Sequence, residues 1–273
     1  MQSVMWVINL RMTSATMFSS KVFVSAAVVL IAAYVLAEGC SKLQDVGSLT
    51  VSSPLYAAAS RNDVARIQEL LEYPRMIKEI DVGSQTGPLG AVSSATPLIA
   101  AAGKGHAEAV TALLKAGANP NAPFTLGLGM VFTRTPLHVA ADEGHADAVA
   151  ALLKAGANPN IPQALGLGLT FSSTPLYDAA ANGHTEVVAA LLQGGADPNA
   201  PLTRGLGMLC SATPLYEAAA EGHTDVVATL LRGGADPSAV FTLGLGMVSS
   251  GTPLSVASQR GHTAIQMMLN DTR

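Results

Sequence analysis

The sequence predicts an all-α protein, an α/α solenoid in which short helix pairs stack one on the next. Thr-Pro-Leu stands at Thr96, Thr135, Thr174, Thr213 and Thr252, each 39 residues after the last, and self-similarity at a fixed period is the mark of a stacked repeat. Each occurrence opens two short apolar-periodic segments punctuated by Gly. The composition agrees: 49% of the residues are apolar and 12% charged, against about 25% charged in an average soluble protein. Much of the apolar count is Ala, which makes a small-residue core.

Thr174–Asn199 shows why one unit folds as it does. Thr174 caps free backbone N–H groups, and Pro175 at the first helical position gives up only an N–H that had no partner. Leu176, Ala179 and Ala180 fall on one helical face. That face is narrow, so neighbouring helices approach closely. Asn182-Gly183 ends the helix, because Gly accepts the left-handed conformation at a helix end. A second helix is predicted from about Thr185 to Gln193, with Val187, Val188, Leu191 and Leu192 forming a broad apolar stripe. Gly194-Gly195 ends it, and Asp197-Pro198-Asn199 turns the chain away. One such unit cannot bury both its faces, so it stacks on neighbours.

The unit TPLYDAAANGHTEVVAALLQGGADPN returns as TPLHVAADEGHADAVAALLKAGANPN at Thr135–Asn160 and TPLYEAAAEGHTDVVATLLRGGADP at Thr213–Pro237. This pattern resembles the ankyrin repeat family. The resemblance implies an L-shaped repeat with a projecting β-hairpin finger, and it covers six units, starting near residues 53, 96, 135, 174, 213 and 252. The first unit is degenerate: Ser53-Pro54 replaces Thr-Pro, and its second helix, Val64–Glu72, is more charged, as suits an end unit with one face in water. The last, with its second helix at Thr263–Asn270, reads as a polar cap.

The departure from the family lies in the finger. The usual repeat is about 33 residues; here it is 39. The added residues fall in PFTLGLGMVFTR, PQALGLGLTFSS, PLTRGLGMLCSA and VFTLGLGMVSSG. Alternating Leu and Gly suits a hairpin, with Gly at the turn. A two-stranded finger is roughly 10 Å wide and packed helices sit about 8–10 Å apart, so successive fingers are expected to stack into one continuous sheet. Phe124, Phe132, Phe171 and Phe241 are expected inside that sheet.

Ahead of the repeats, Val22–Ala37 is an apolar run of 16 residues broken only by Ser25. It falls between the core of a signal peptide, about 7–15 residues, and a spanning helix of about 20. Small residues at Val35-Leu36-Ala37 suit cleavage after Ala37, and Met17 is an alternative start. Residues 1–37 therefore read as a signal peptide or N-terminal membrane anchor, 38–52 as a linker and 53–273 as the repeat domain. Arg11 and Lys21 precede the run, which places the repeats outside the cytoplasm. The expected location is secreted or membrane-anchored, with a cytoplasmic adaptor as the alternative.

No chemistry is expected of the repeats: no catalytic residue, metal or cofactor, and no small-molecule substrate. His106, His145, His184, His223 and His262 recur after Gly in every regular unit, and the family resemblance implies a structural role bonding nearby backbone. It likewise implies that His138 supports the Thr at its helix start. The Gly-Leu-Gly segments lack the context of a phosphate loop. Asp178 and Glu217, one unit apart, have about the separation of an inverting glycosidase pair, but nothing else supports that reaction, and they read as exposed charges. Cys40 and Cys210 are too few for a disulfide framework or a four-ligand zinc site. The net charge of −4 and the want of a basic patch argue against nucleic acid.

Comparing units with one another locates a binding surface. Fixed positions build the stack, and varying ones are free to recognise something. Variation concentrates at His138, Asp142, Glu143, Tyr177, Asp178, Asn182, Tyr216, Glu217 and Glu221, which in the family face the concave groove below the fingers. The expected function is a scaffold binding a protein or peptide there, with the membrane reached through residues 22–37. The alternatives are a structural protein that assembles through its apolar fingers and an enzyme, for which only the 52 residues ahead of the repeats remain.

Overall fold

Each first helix of a unit begins with Pro, and the residue before it is in extended conformation and caps the turn. The structure is a computed structural model that describes residues 53–82, 84–86, 93–126, 131–166, 170–205, 210–243 and 251–272. The six units contain helices α1 (Pro54–Ala59) and α2 (Val64–Leu71), α4 (Pro97–Gly103) and α5 (Ala107–Lys115), α6 (Pro136–Asp142) and α7 (Ala146–Lys154), α8 (Pro175–Ala181) and α9 (Thr185–Gln193), α10 (Pro214–Glu221) and α11 (Thr224–Arg232), and α12 (Pro253–Arg260) and α13 (Thr263–Asp271). The hydroxyls of Thr96, Thr174, Thr213 and Thr252 each accept the backbone N–H three residues on, at 3.2–3.3 Å. The first unit adds α3 (Pro74–Lys78), which the repeat pattern does not contain. Its sequence signal is Pro74, again at a first helical position.

The core repeats with the units. Leu98, Leu137, Leu176 and Leu215 of the first helices and Leu113, Leu152, Leu191 and Leu230 of the second are fully buried. Between them lie Ala pairs such as Ala140–Ala141 and Ala179–Ala180, also fully buried. Burying one Leu stabilises by about 2–3 kcal/mol, and every unit repeats that gain. Val187, Val188 and Leu191 are buried as the stripe predicts, while Leu192 is partly buried at the edge of the core.

The fingers stack. The first is β1 (Ser84–Thr86) with β2 (Ser93–Ala95), the second β3 (Thr125–Leu126) with β4 (Val131–Thr133), the third β5 (Gln163–Gly166) with β6 (Thr170–Ser173) and the fourth β7 (Leu202–Gly205) with β8 (Cys210–Ala212); β9 (Thr242–Leu243) belongs to the fifth. Pairing is antiparallel within fingers, as at Gln163↔Ser173, and between them, as at Val131↔Gly166 and Thr170↔Gly205. The result is sheets of order β1-β2-β3 and β4-β5-β6-β7-β8-β9. A bridge at Phe124↔Arg134 joins them. The fingertips, with most of the Gly-Leu-Gly turns, lie outside the described residues, as do the side chains of Phe132 and Phe171. So do residues 1–52, and with them the expected signal or anchor. No helix among the described residues is long and apolar enough to cross a membrane.

Two ladders tie unit to unit. At the end of each first helix, a His ring reaches back to a carbonyl of the preceding unit: His106 to Ser60, His145 to Gly103, His184 to Asp142, His223 to Ala181 and His262 to Ala220, at 2.9–3.3 Å. For His145, His184, His223 and His262 the ring lies on the glycine that ends the preceding unit's first helix. A Cβ on Gly183 would stand 2.8 Å from the His223 ring, and Gly183 has φ +77°. In the turns after α5, α7 and α9, Asn121, Asn160 and Asn199 accept the backbone N–H of Asn158, Asp197 and Asp236, each at 2.8 Å.

Gly183→Ala is expected to be much more damaging than Gly195→Ala. Both place a methyl at positive φ, a cost of about 1–2 kcal/mol, but Gly195 has open space around it. Gly183→Ala also drives the methyl into His223, adding about 1–3 kcal/mol. Urea denaturation of the two variants checks the difference.

Candidate functional site

Where a first helix ends, one position per unit points outward. Lys104, Glu143, Asn182, Glu221 and Arg260 follow one another at the repeat spacing and are all exposed. They differ in charge and shape, although the leucines and alanines beneath them barely change. Neighbours in this row also touch the units beside them. Asn182 Nδ2 donates to Asp142 Oδ1 at 2.8 Å, and Arg260 donates to Glu221 Oε1 at 2.8 Å.

Behind the row, the finger bases meet the first helices. At the third finger the meeting is polar. Arg134, which precedes α6, has a side chain only 8% exposed and forms an ion pair with Asp142. Ser173 Oγ donates to Asp178 Oδ1 at 2.9 Å, and Gln163 Nε2 lies 3.3 Å from Asp178 Oδ2 and hydrogen-bonds Ser173 Oγ. His138 is wholly buried. Its Nδ1 receives the Thr135 N–H at 3.3 Å and the Thr135 hydroxyl at 2.8 Å, which leaves the proton on Nε2 to donate to the Ser173 carbonyl at 3.3 Å. Burial pushes His138 down to about 3, with the Arg134 charge adding to the effect and the Ser173 bond opposing it. Burial pushes Asp178 up to about 7; Arg134 opposes this, the Asp142 carboxylate adds to it and the Ser173 bond opposes it.

At the fourth finger base the same positions are apolar. Leu202 and Ala212 stand where Gln163 and Ser173 stood, and they pack with Tyr177 into a small separate cluster joined by Tyr216 and Phe241. The Tyr216 and Phe241 rings stack with centroids 4.7 Å apart. Tyr177 is 5% exposed, and its hydroxyl donates to Glu217 Oε2 at 2.8 Å.

These contacts divide the nine positions singled out by variation. Glu143, Asn182 and Glu221 are exposed, and Asp142 and Glu217 are half-buried with part of each in reach of solvent. His138 and Tyr177 are not surface groups; each fills the space between a first helix and a finger base, so a partner cannot touch them without displacing the finger. Tyr216 is half-buried in its stack with Phe241. Asp178 is no exposed charge, since its carboxyl group is enclosed by Ser173, Gln163 and the Arg134–Asp142 pair. Sequence comparison missed Arg134, Gln163 and Ser173. The signal was there in their polarity at positions where later units carry Leu, Ala, Phe and Gly.

The rings of the five Gly-His histidines bond backbone carbonyls. Among the described residues, no group of three His, Cys, Asp or Glu is placed to hold a metal ion.

A family model described as ankyrin repeats (three copies) matches residues 30–123, 55–163, 132–201, 161–240 and 179–273 in overlapping registers. No curated protein matches the chain.

His138 is expected to make the fold acid-labile. Its folded form stays neutral down to about 3, whereas the unfolded chain takes a proton near 6.5, so stability falls as pH drops through that window. Relative to His138→Gln, the folding constant of the parent should fall by up to about tenfold per pH unit between pH 6 and 4. Denaturation midpoints of the two proteins across that range check it; parallel curves would contradict it.

Proposed function

This chain belongs to the ankyrin repeat family, and we propose that it is a non-catalytic scaffold that binds a protein or peptide across its first helices and finger bases. Ankyrin repeats in general are protein–protein interaction modules. The observation that carries the reading to this face is the outward row Lys104, Glu143, Asn182, Glu221 and Arg260: every member is exposed, and chemistry varies there while the buried leucines and alanine pairs of the helices stay fixed. Folding makes no demand for such variety. In the family's architecture this is the concave side. Recognition falls to the exposed row together with Asp142 and Glu217, and the buried His138 and Tyr177, with the half-buried Tyr216, hold the fingers that wall the groove.

The apolar run Val22–Ala37, preceded by Arg11 and Lys21, supports export or tethering to a membrane. A mature chain starting at Glu38 in the exported fraction, or an intact one in the membrane fraction, is the expected result of N-terminal sequencing. An intact chain recovered from the cytosol would overturn this part.

The triple variant Glu143→Ala, Asn182→Ala, Glu221→Ala is expected to leave the unfolding midpoint nearly unchanged, because surface changes of this kind shift stability by only about 0.5 kcal/mol each. Proteins that co-purify with the parent from its own cell should fall at least about tenfold in yield, equivalent to about 1.4 kcal/mol of binding. Quantitative mass spectrometry reads the yields. Undiminished recovery would overturn the binding face. Self-association of the parent with no partner present would instead favour assembly through the fingers.

A further inference from the structure

The base of the third finger holds an arrangement unlike its neighbours. Two carboxylates, Asp142 and Asp178, face one guanidinium, that of Arg134, which is paired with Asp142. Asp178 is held by uncharged donors from both strands of the finger: Ser173 Oγ at the end of β6 and Gln163 Nε2 at the start of β5. Gln163 is 6% exposed, and its Oε1 has no hydrogen-bond partner. A buried amide oxygen left without a donor is uncommon and costly.

A protonated Asp178 offers that oxygen a donor. Half a turn of the amide brings Oε1 to where Nε2 stands, 3.3 Å from Asp178 Oδ2, and the acid's O–H then donates to it. In the observed orientation Nε2 donates to both Ser173 Oγ and Asp178 Oδ2; turning the amide gives up those two bonds, and only a proton on Asp178 supplies one in return. We propose that Asp178 and Gln163 form a proton-operated latch that sets how the third finger is fastened to α8.

The surrounding groups fix the conditions. From the second finger and α6 come Arg134, Asp142 and His138; from α10 comes Glu217, engaged by the Tyr177 hydroxyl; from the turn before α9 comes His184, bonded to the Asp142 carbonyl. Burial, Asp142 and the opposing Arg134 and Ser173 together hold Asp178 at about 7, so both states of the latch are populated near neutrality. The folded carboxyl keeps its proton to higher pH than the unfolded one, so this group makes stability fall as pH rises from about 4 to about 7. A pH-dependent grip on a partner follows only if the finger-lined face binds one, which rests on the reading above. The latch itself does not rest on it, and its test uses no partner.

The test follows the Asp178 carboxyl carbon by NMR from pH 5 to 9, together with hydrogen-exchange protection of the β5 and β6 amides. The carboxyl should titrate near 7, and protection in β5 and β6 should inflect at the same pH. Relative to Asp178→Asn, the folding constant of the parent should fall up to about tenfold per pH unit between 5 and 7. Gln163→Leu, which copies Leu202 of the fourth finger, should keep the Asp178 titration and remove the inflection in β5 and β6. Titration in the ordinary carboxylate range, a parent-to-variant ratio flat with pH, or an inflection that survives Gln163→Leu would overturn the latch.

Discussion

The bond from each Gly-His ring to a carbonyl of the preceding unit is the contact on which the stack depends. A solenoid has only nearest-neighbour contacts to hold it, and this one works at the boundary itself. At the first boundary Asn62 holds the left-handed position; from the second boundary on, the His ring of one unit rests against the left-handed glycine of the unit before it, where no side chain fits. Glycine is required there twice, by its φ and by the ring, and the ring is oriented by its bond to a carbonyl that the helix end leaves free. The asparagine ladder does the same at the other end of the unit, with side-chain oxygens meeting backbone N–H groups of the next turn. Together they set the pitch at which Leu and Ala layers meet.

That pitch decides what the fingers do. Strands pair at about 4.8 Å, so a hairpin on every unit matches the spacing of the helix pairs, and pairing continues from finger to finger. A stacked sheet needs its base attached to the helices below. The chain makes that attachment in two ways. Around the third finger, Arg134, Gln163, Ser173 and Asp178 join polar groups; around the fourth, Tyr177, Leu202 and Ala212 join apolar ones. The change occurs within a single repeat spacing and leaves the backbone pairing intact.

Helix positions were legible in the sequence to within a residue, because Thr-Pro, Gly-His and Gly-Gly mark the ends and the apolar spacing fills the middle. Thr185–Gln193 is an example. Finger stacking was legible too, since it follows from two spacings. The helix α3 was not, since it interrupts the repeat instead of belonging to it. The site was legible in part. Variation between units picked out Glu143, Asn182 and Glu221, which are exposed, but it also picked out His138, Tyr177 and Asp178. There it reflects two alternative ways of filling one interior space, a hydrogen-bonded cluster or an aromatic one, and a single column of residues does not distinguish variety on a surface from variety in packing. The partners that decide the matter, Gln163 against Leu202 and Ser173 against Ala212, lie in the fingers and meet the helices only in the folded chain.

The central claim is that the first-helix and finger-base side of the stack is the side that engages a partner. A photo-crosslinking residue placed at Asn182 and, separately, at Ala150, an exposed position on the second helix α7, tests it in the protein's own cell. A discrete adduct from position 182 and none from 150 is the predicted result. Adducts from 150 alone, or equally from both, would contradict it.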